Sequence, residues 1–555
     1  MPNSRALRLI AMLVVACGLG LVGWVATTSA QPRSPADVFG FEPGDDYKLA
    51  SYDQMETYYG QLAAESDRVQ LRTIGETVEG HEMYLLIISS PENLARLDDL
   101  KATSRTLARA RLGEEEARRL AEQGKAVVWV DAGLHATEMA HGQMAPLLAH
   151  RLATGESAEM RHIRENVVTL LMPMMNPDGL EIVRKWYEQQ LGTPYEATNP
   201  PKLYHRYVGH DNNRDWFMMN MPESRAVSDV VYNDWHPQIV FNHHQTSPPY
   251  ARIVIPPYSD PVNPKIHPGV TTALNEVGNA MGRRYALSSM PGAIADVGFD
   301  MWWNGGMRTT PYYHNMIGIL TETGHNWPSP MLFDPEKFPL MRAYRSLRGP
   351  IETLEGIEEM AGTRVDYPYP WPGGESHFRA PIDYMITGTL AVLKLAADKP
   401  DEYLHNIYRM GRAAIAKGEL SQTRTYVIPV RQHNFAEAHH LVNTLYWGGI
   451  EIARTEADFE LGGKRYAAGS FIIDTAQAFR PHLLDMLERQ DYPALSQYPG
   501  GPPDDPYDIT GWTLPMQMDV AVDRAAEPVS VETTPIDAPV AIPAGRVVGE
   551  SAEHF

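Results

Sequence analysis

Four short apolar runs constrain this chain more than anything else in it: "AVVWVDAG" (126–133), "VVTLLMPMMNPDG" (167–179), "QIVFNHHQ" (238–245) and "MIGILTET" (316–323). Each is apolar almost throughout, as a strand covered on both faces must be. Each also ends in polar or ionisable residues, and helical stretches alternate with them. In open α/β sheets, ligands bind in the crevice beyond the carboxyl ends of the strands. His135 and Glu138, Asn176 and Asp178, His243 and His244, and Glu322 are therefore expected along one sheet edge. The expected fold is α/β, with a mixed, largely parallel central sheet covered by helices on both faces.

The remaining sequence sets the boundaries. With 555 residues the chain is too long for one ordinary core. Residues 31–365 are expected to form the main domain, opening with a helix over 45–60. A β-hairpin over 69–89, with Gly80 near its turn, and a charged helix over 103–124 follow. The stretch "YPYPWPGGESHFRAP" opens a linker and helical connector over 366–420. A smaller C-terminal α/β domain is expected over 421–525, and a poorly ordered tail over 526–555.

At the N-terminus, Arg5 and Arg8 precede "LIAMLVVACGLGLVGWVA", and "TTSAQP" offers a small-residue cleavage site after Ala30. That order is the pattern of a signal peptide over residues 1–30, and a secreted or periplasmic protein. An uncleaved membrane anchor, or lipidation at Cys17 in "VVAC", is the alternative. Cys17 is the only cysteine, so a metal site elsewhere must use histidines and carboxylates. The net charge of −21 disfavours nucleic acid and anionic membrane surfaces as partners.

In "HATE", His135 and Glu138 stand three positions apart, so an imidazole and a carboxylate can reach one point on a tight turn or first helical turn. Zinc accepts such ligands, and catalytic sites combine three of them with a water. The spacing alone is equally that of a surface His–Glu pair, and His141, six positions after His135, points elsewhere on a helix. In "NHHQ", His243 and His244 face opposite sides of a strand, so only one of them can face the crevice. "NPDG" (176–179) reads as a turn of structural use.

Taken together, "HATE" (135–138), "NPDG" (176–179), "DNNR" (211–214), "NHHQ" (242–245) and "LTET" (320–323) resemble, in order, the motifs of the zinc carboxypeptidases of the carboxypeptidase A type. The resemblance covers roughly 45–365, and motifs in register over so long a stretch are far more specific than any one alone. It implies one zinc ion held by His135, Glu138 and His244, with His243 as the fallback third ligand. Asp211 is implied as the acid that orients the first ligand histidine, and Asn213 and Arg214 as the grip on a substrate's terminal carboxylate. Glu322 is implied as the catalytic base. An oxyanion-stabilising arginine is expected at Arg206, with Arg184 as the alternative. The implied substrate is a peptide or protein with a free C-terminal carboxylate.

Two departures bear on specificity. Tyr312 and Tyr313 lie too close to Glu322 to match the family's mobile tyrosine, and the insertion "QQLGTPYEATNPPKLYHRYVGHD" reshapes the cleft. Trp302 and Trp303 fit a substrate pocket and a packed core equally. Two other readings stay open: a deacylase or cell-wall peptide amidohydrolase on the same scaffold, and a catalytically inactive secreted binding module.

Overall fold

The computed structural model describes residues 31–334, 362–496, 500–503, 506–508 and 513–543. The expected signal segment and Cys17 lie outside the described residues. An eight-stranded sheet forms the centre. Its strands are β1 (Val69–Glu76), β2 (Glu82–Ile88), β3 (Ala126–Asp131), β4 (Val167–Met172), β5 (Ile239–His244), β6 (Ile253–Val254), β7 (Ala293–Ile294) and β8 (Ile317–Thr323), in the order β1-β2-β4-β3-β5-β8-β6-β7. β4, β3, β5 and β8 run parallel, whereas β1, β2 and β6 each enter an antiparallel pairing. The expected mixed, largely parallel sheet is what forms.

The apolar runs explain why. Every residue of β3, β4, β5 and β8 is buried, and each fully buried Val, Leu or Ile contributes roughly 1.5–3 kcal/mol. Helices cover both faces. α1 (Tyr52–Glu65) starts at Ser51, whose side chain accepts from Gln54 N in a capping box, so the helix begins later than the expected 45. The stretch read as one helix over 103–124 is two, α2 (Leu97–Arg109) and α3 (Glu114–Gln123). Ala110 turns left-handed at φ 52°, and Gly113 caps the second helix. α4 (Met139–Thr154), α5 (Pro177–Gln190) and α6 (Pro268–Leu287) follow.

The boundary expected at 365 moves. α7 (Arg379–Asp398) and α8 (Pro400–Glu419) are layers of the main domain rather than a connector. α7 packs on α4, α6 and the sheet itself, and α8 packs on α2 and α3. The apolar Ile382, Leu390, Val392 and Leu393 join the core on the α4 face of the sheet. α7 is apolar enough to cross a membrane, but most of it is buried in protein.

The C-terminal module holds an antiparallel five-stranded sheet. It is built from β9 (Thr425–Ile428), β10 (Ala453–Thr455), β11 (Phe471–Asp474), β12 (Asp523–Ala525) and β13 (Thr533–Pro535), in the order β12-β9-β11-β10-β13. Its Tyr426, Leu441 and Phe479 share one core cluster with Val127, Trp129 and Val240 of the main sheet. The expected disordered tail is corrected over its described part. Thr533–Pro535 pairs with β10, and Val540 N donates to Asn443 Oδ1 at 2.7 Å.

Candidate metal centre and cleft

β3 ends at Asp131, and a tight turn follows before α4. Gly133 turns it at φ 75°, where an added Cβ would strike the Met174 thioether. His135 and Glu138 lie in this turn, Glu138 N donating to His135 O at 3.1 Å, and Glu138 is the residue that opens α4. On the neighbouring strand His244 pairs in register with Glu322 of β8. The sheet thus delivers all four side chains to one edge.

Their ligand atoms converge. His135 Nδ1 lies 2.7 Å from Glu138 Oε1, and His244 Nδ1 lies 3.1 Å from both His135 Nδ1 and Glu138 Oε2. Ligands of a tetrahedral zinc at about 2.0–2.1 Å stand ~3.3 Å apart, so this spacing fits the ion. The chemistry fits as well, because two imidazole nitrogens and a carboxylate all aim lone pairs at one point. A proton can bridge one such contact at a time, whereas a divalent cation satisfies all of them.

The protonation states agree. Burial drives the His135 imidazole down to about 3, against the pull of Glu138. Burial opposes charge on Glu138, yet His135 and His244 hold its carboxyl well below the carboxylate range. A neutral imidazole at His135 beside an ionised Glu138 is what a metal requires.

Behind His244 runs a chain of hydrogen bonds. His244 Nε2 meets Asn242 Oδ1 at 2.5 Å, the Asn242 amide donates to Asp131, and Asp131 also accepts from Trp129 Nε1 at 2.9 Å. Because the amide nitrogen of Asn242 is committed to Asp131, its oxygen faces His244. The proton of His244 is thereby fixed on Nε2 and Nδ1 is left bare. Asp131 is fully buried, which pushes its carboxyl up to about 7 despite these donors.

Glu322, 7% exposed, lines the same cleft as the three ligands, and its Oε2 has no hydrogen-bond partner among the described residues. Burial, reinforced by the Glu138 carboxylate, pushes its carboxyl well up, and Arg308 acts in the opposite direction. The site opens into a cleft of about 380 Å³ whose walls include Asn213, Arg214, Trp303, Arg308 and Tyr507.

Several expected residues lie elsewhere. Arg206 is corrected: it is exposed, 3.6 Å from Glu79, and absent from the cleft walls. Arg184 is bound to Glu181 and Glu188 along α5. Asp211 is exposed with no hydrogen bond to His135, so its expected orienting role is corrected too; the orienting chain found here serves His244. The fallback His243 points to the opposite face, where Nε2 meets Thr389 Oγ1 at 2.9 Å. Of the two tryptophans, Trp303 lines the cleft and Trp302 packs against Tyr492. Tyr312, hydrogen-bonded by Arg308 Nη1 at 3.2 Å, is buried.

"NPDG" is structural, as expected, but as a helix start. Asn176 Oδ1 caps Gly179 N at 2.9 Å while Nδ2 donates to Tyr204 O. Asp178 accepts from Thr77 Oγ1 at 2.7 Å and meets His81 Nδ1 at 2.6 Å.

Sequence reasoning missed His210, Asn242, Arg308, Tyr507 and Asp508. His210 stacks on His135 with centroids 3.7 Å apart, and its Nδ1 meets Tyr204 OH at 2.6 Å. One of its nitrogens also lies within 4.8 Å of His135 and Glu138 ligand atoms. Asn213 Oδ1 accepts from Met307 N at 2.9 Å, and its amide nitrogen stands 3.3 Å from His244 Nε2 without donating to it, because the proton on that nitrogen goes to Asn242 Oδ1. Arg214 Nε pairs with Asp508 Oδ2 at 2.5 Å.

The family model described as zinc carboxypeptidase matches residues 55–253. Residues 55–253 are thus similar to a zinc carboxypeptidase domain. The matched span contains His135, Glu138, Asn213, Arg214 and His244 and stops short of Glu322. Among solved structures, the chain is similar to thrombin activatable fibrinolysis inhibitor, at 14% identity over 67% of this chain and 81% of that one, with a TM-score of 0.40. It is similar to a metallo-carboxypeptidase from Burkholderia cenocepacia, at 14% identity over 62% and 69%, with a TM-score of 0.38. It is also similar to carboxypeptidase A from Helicoverpa armigera, at 15% identity over 72% and 80%, with a TM-score of 0.36.

Proposed function

We propose that the protein is an exported carboxypeptidase in which His135, Glu138 and His244 hold one zinc ion and Glu322 is the general base. The observation that carries this reading is the meeting of His135 Nδ1, the Glu138 carboxylate and His244 Nδ1 within 2.7–3.1 Å. Glu322 lines the same cleft, one of its oxygens unpartnered among the described residues. His244 is preferred to His210 as third ligand. The ring of His210 lies face to face with His135 and its Nδ1 is engaged by Tyr204, whereas His244 Nδ1 points into the cluster.

Zinc at this point supplies an activated water and a Lewis acid for the scissile carbonyl. The residues of the chain do the rest. Glu322 Oε2 takes the water's proton and returns it to the leaving amine. Burial and the Glu138 carboxylate raise the carboxyl and make it a stronger base, and Arg308 acts in the opposite direction. Arg214 and Asn213 orient the substrate's terminal carboxylate. Arg308, on the Glu322 side, supplies the positive charge that sequence reasoning assigned to Arg206. The charged, apolar, small-residue order of residues 5–30 supports export with cleavage after Ala30. N-terminal sequencing of the mature protein tests that part.

The decisive test is a mixed peptide digest read by mass spectrometry. Stepwise loss of C-terminal residues is expected, stopped by a chelator and by Glu322→Gln, with C-terminally amidated peptides left intact. The deacylase reading draws on one observation, the pairing of Arg214 with Asp508. It gains if Arg214→Ala keeps full activity on an acylated substrate.

A further inference from the structure

Arg214 is already engaged, and the way it is engaged leaves little for a substrate. Its Nε meets Asp508 Oδ2 at 2.5 Å, and its Nη1 donates to the backbone oxygen of Asn213 at 2.9 Å. A guanidinium grips a carboxylate through two parallel hydrogen bonds, from Nε with one terminal nitrogen or from both terminal nitrogens. Either pair here contains one committed nitrogen. The guanidinium also lies 5.5 Å from the Trp303 ring centroid, so it cannot turn freely. The Asp508 side chain is 9% exposed against 28% for Arg214, and the pair is thus largely withdrawn from water.

Asp508 does not arrive alone. The preceding Tyr507 lines the same cleft, its ring in edge contact with Phe299 at 5.4 Å. Side by side, Tyr507 and Asp508 offer an aromatic ring and a carboxylate, the two groups that a peptide ending in an aromatic residue would bring.

We propose that Asp508 is a specificity-determining residue that occupies the carboxylate clamp as an internal competitor, so that a substrate's terminal carboxylate binds Arg214 only by displacing it. This rests on the carboxypeptidase reading above. No bond is made or broken: one carboxylate replaces another on Arg214. The competition therefore acts on substrate affinity and leaves the chemical step alone.

The test uses the full-length zinc-loaded protein. Asp508→Asn keeps the shape and removes the charge, and Asp508→Ser is the second variant should the first fail to fold. For a peptide with a free C-terminal carboxylate, KM is expected to fall about tenfold or more, the weight of one hydrogen bond to a charged group, with kcat within about twofold because both states reach the same transition state. Binding is read separately by calorimetry in Glu322→Gln, with N-acetyl-glycyl-phenylalanine and its C-terminal amide as probes. The free acid should bind more tightly after Asp508→Asn, the amide should not, and the gain should vanish in Arg214→Ala. If the free acid binds more tightly than the amide but Asp508→Asn leaves it unchanged or weakens it, Asp508 supports Arg214 instead, and the proposal fails while the carboxypeptidase reading stands. If free acid and amide bind alike in every variant, both fail together.

Discussion

The eight-stranded and the five-stranded sheets of this molecule do different things. In the main sheet β4, β3, β5 and β8 run parallel, so their carboxyl ends meet at one edge and bring His135, Glu138, His244 and Glu322 to a single point. In the C-terminal sheet every pairing is antiparallel, so carboxyl ends of neighbouring strands alternate between the two edges. His439 is spent on Phe435 O in its own helix and on packing against Phe471. Strand direction decides which sheet can carry a metal-dependent site. The C-terminal part reaches the chemistry by another route, through Tyr507 and Asp508.

The largest expected effects lie at the parallel edge. Glu322→Gln should lower hydrolysis about 10²–10⁴-fold with zinc content unchanged by elemental analysis. His244→Ala should lose the zinc itself. If Glu322→Gln trimmed peptides at the wild-type rate, the assignment of the base would be wrong. Next in size, Asn242→Ala should weaken zinc affinity about 10–100-fold, measured by competition with a chromophoric chelator. The side chain touches no ligand point; it holds the His244 proton on Nε2.

pH sharpens the contrast further. The folded state holds His135 at about 3, below the ordinary imidazole value of about 6.5. Between those values the unfolded chain binds more protons, so stability rises with pH. The His135 contribution to the stability of the chelated protein should therefore weaken as pH falls from about 6.5 towards about 3, although buried Asp131, held at about 7, acts in the opposite direction over part of that range. Relative to wild type, His135→Ala should lose less stability over the window. Identical profiles for chelated wild type and chelated His135→Ala across that window would contradict the assignment. Smallest of all, Lys464→Ala in the C-terminal module removes an exposed ion pair with Asp523. It should change stability by no more than about 0.5 kcal/mol and leave peptide trimming as it is.

Much of this was legible in the sequence because it is local. Strands buried on both faces write themselves as apolar runs, and β3, β4, β5 and β8 each fall inside one of the runs quoted at the outset. Motifs at strand ends mark the crevice, which is why His135, Glu138, His244 and Glu322 could be named from spacing and resemblance. What escaped depends on distant contacts. Arg308 lies in "GGMRTTP", which has no spacing signature, and only the packing of Tyr258, Phe299 and Tyr312 around it brings it to the cleft. Asp508 lies among prolines and glycines that read as a loop. Asp211 misled because a motif fixes sequence order and not which neighbour turns inward: Asp211 is exposed, whereas Asn212 beside it is buried and donates to Leu134 O. The helices over 379–419 were misjudged because the proline-rich stretch before them reads as a linker, while their apolar faces belong to the core of the main domain.

The most direct measurement is the anomalous scattering of zinc at its absorption edge in crystals of the zinc-loaded protein. A single peak bonded to His135 Nδ1, Glu138 and His244 Nδ1, with Glu322 next to it and unbonded, is the predicted result. A peak held by His210 in place of His244, or no peak at this edge of the sheet after loading, would contradict the account.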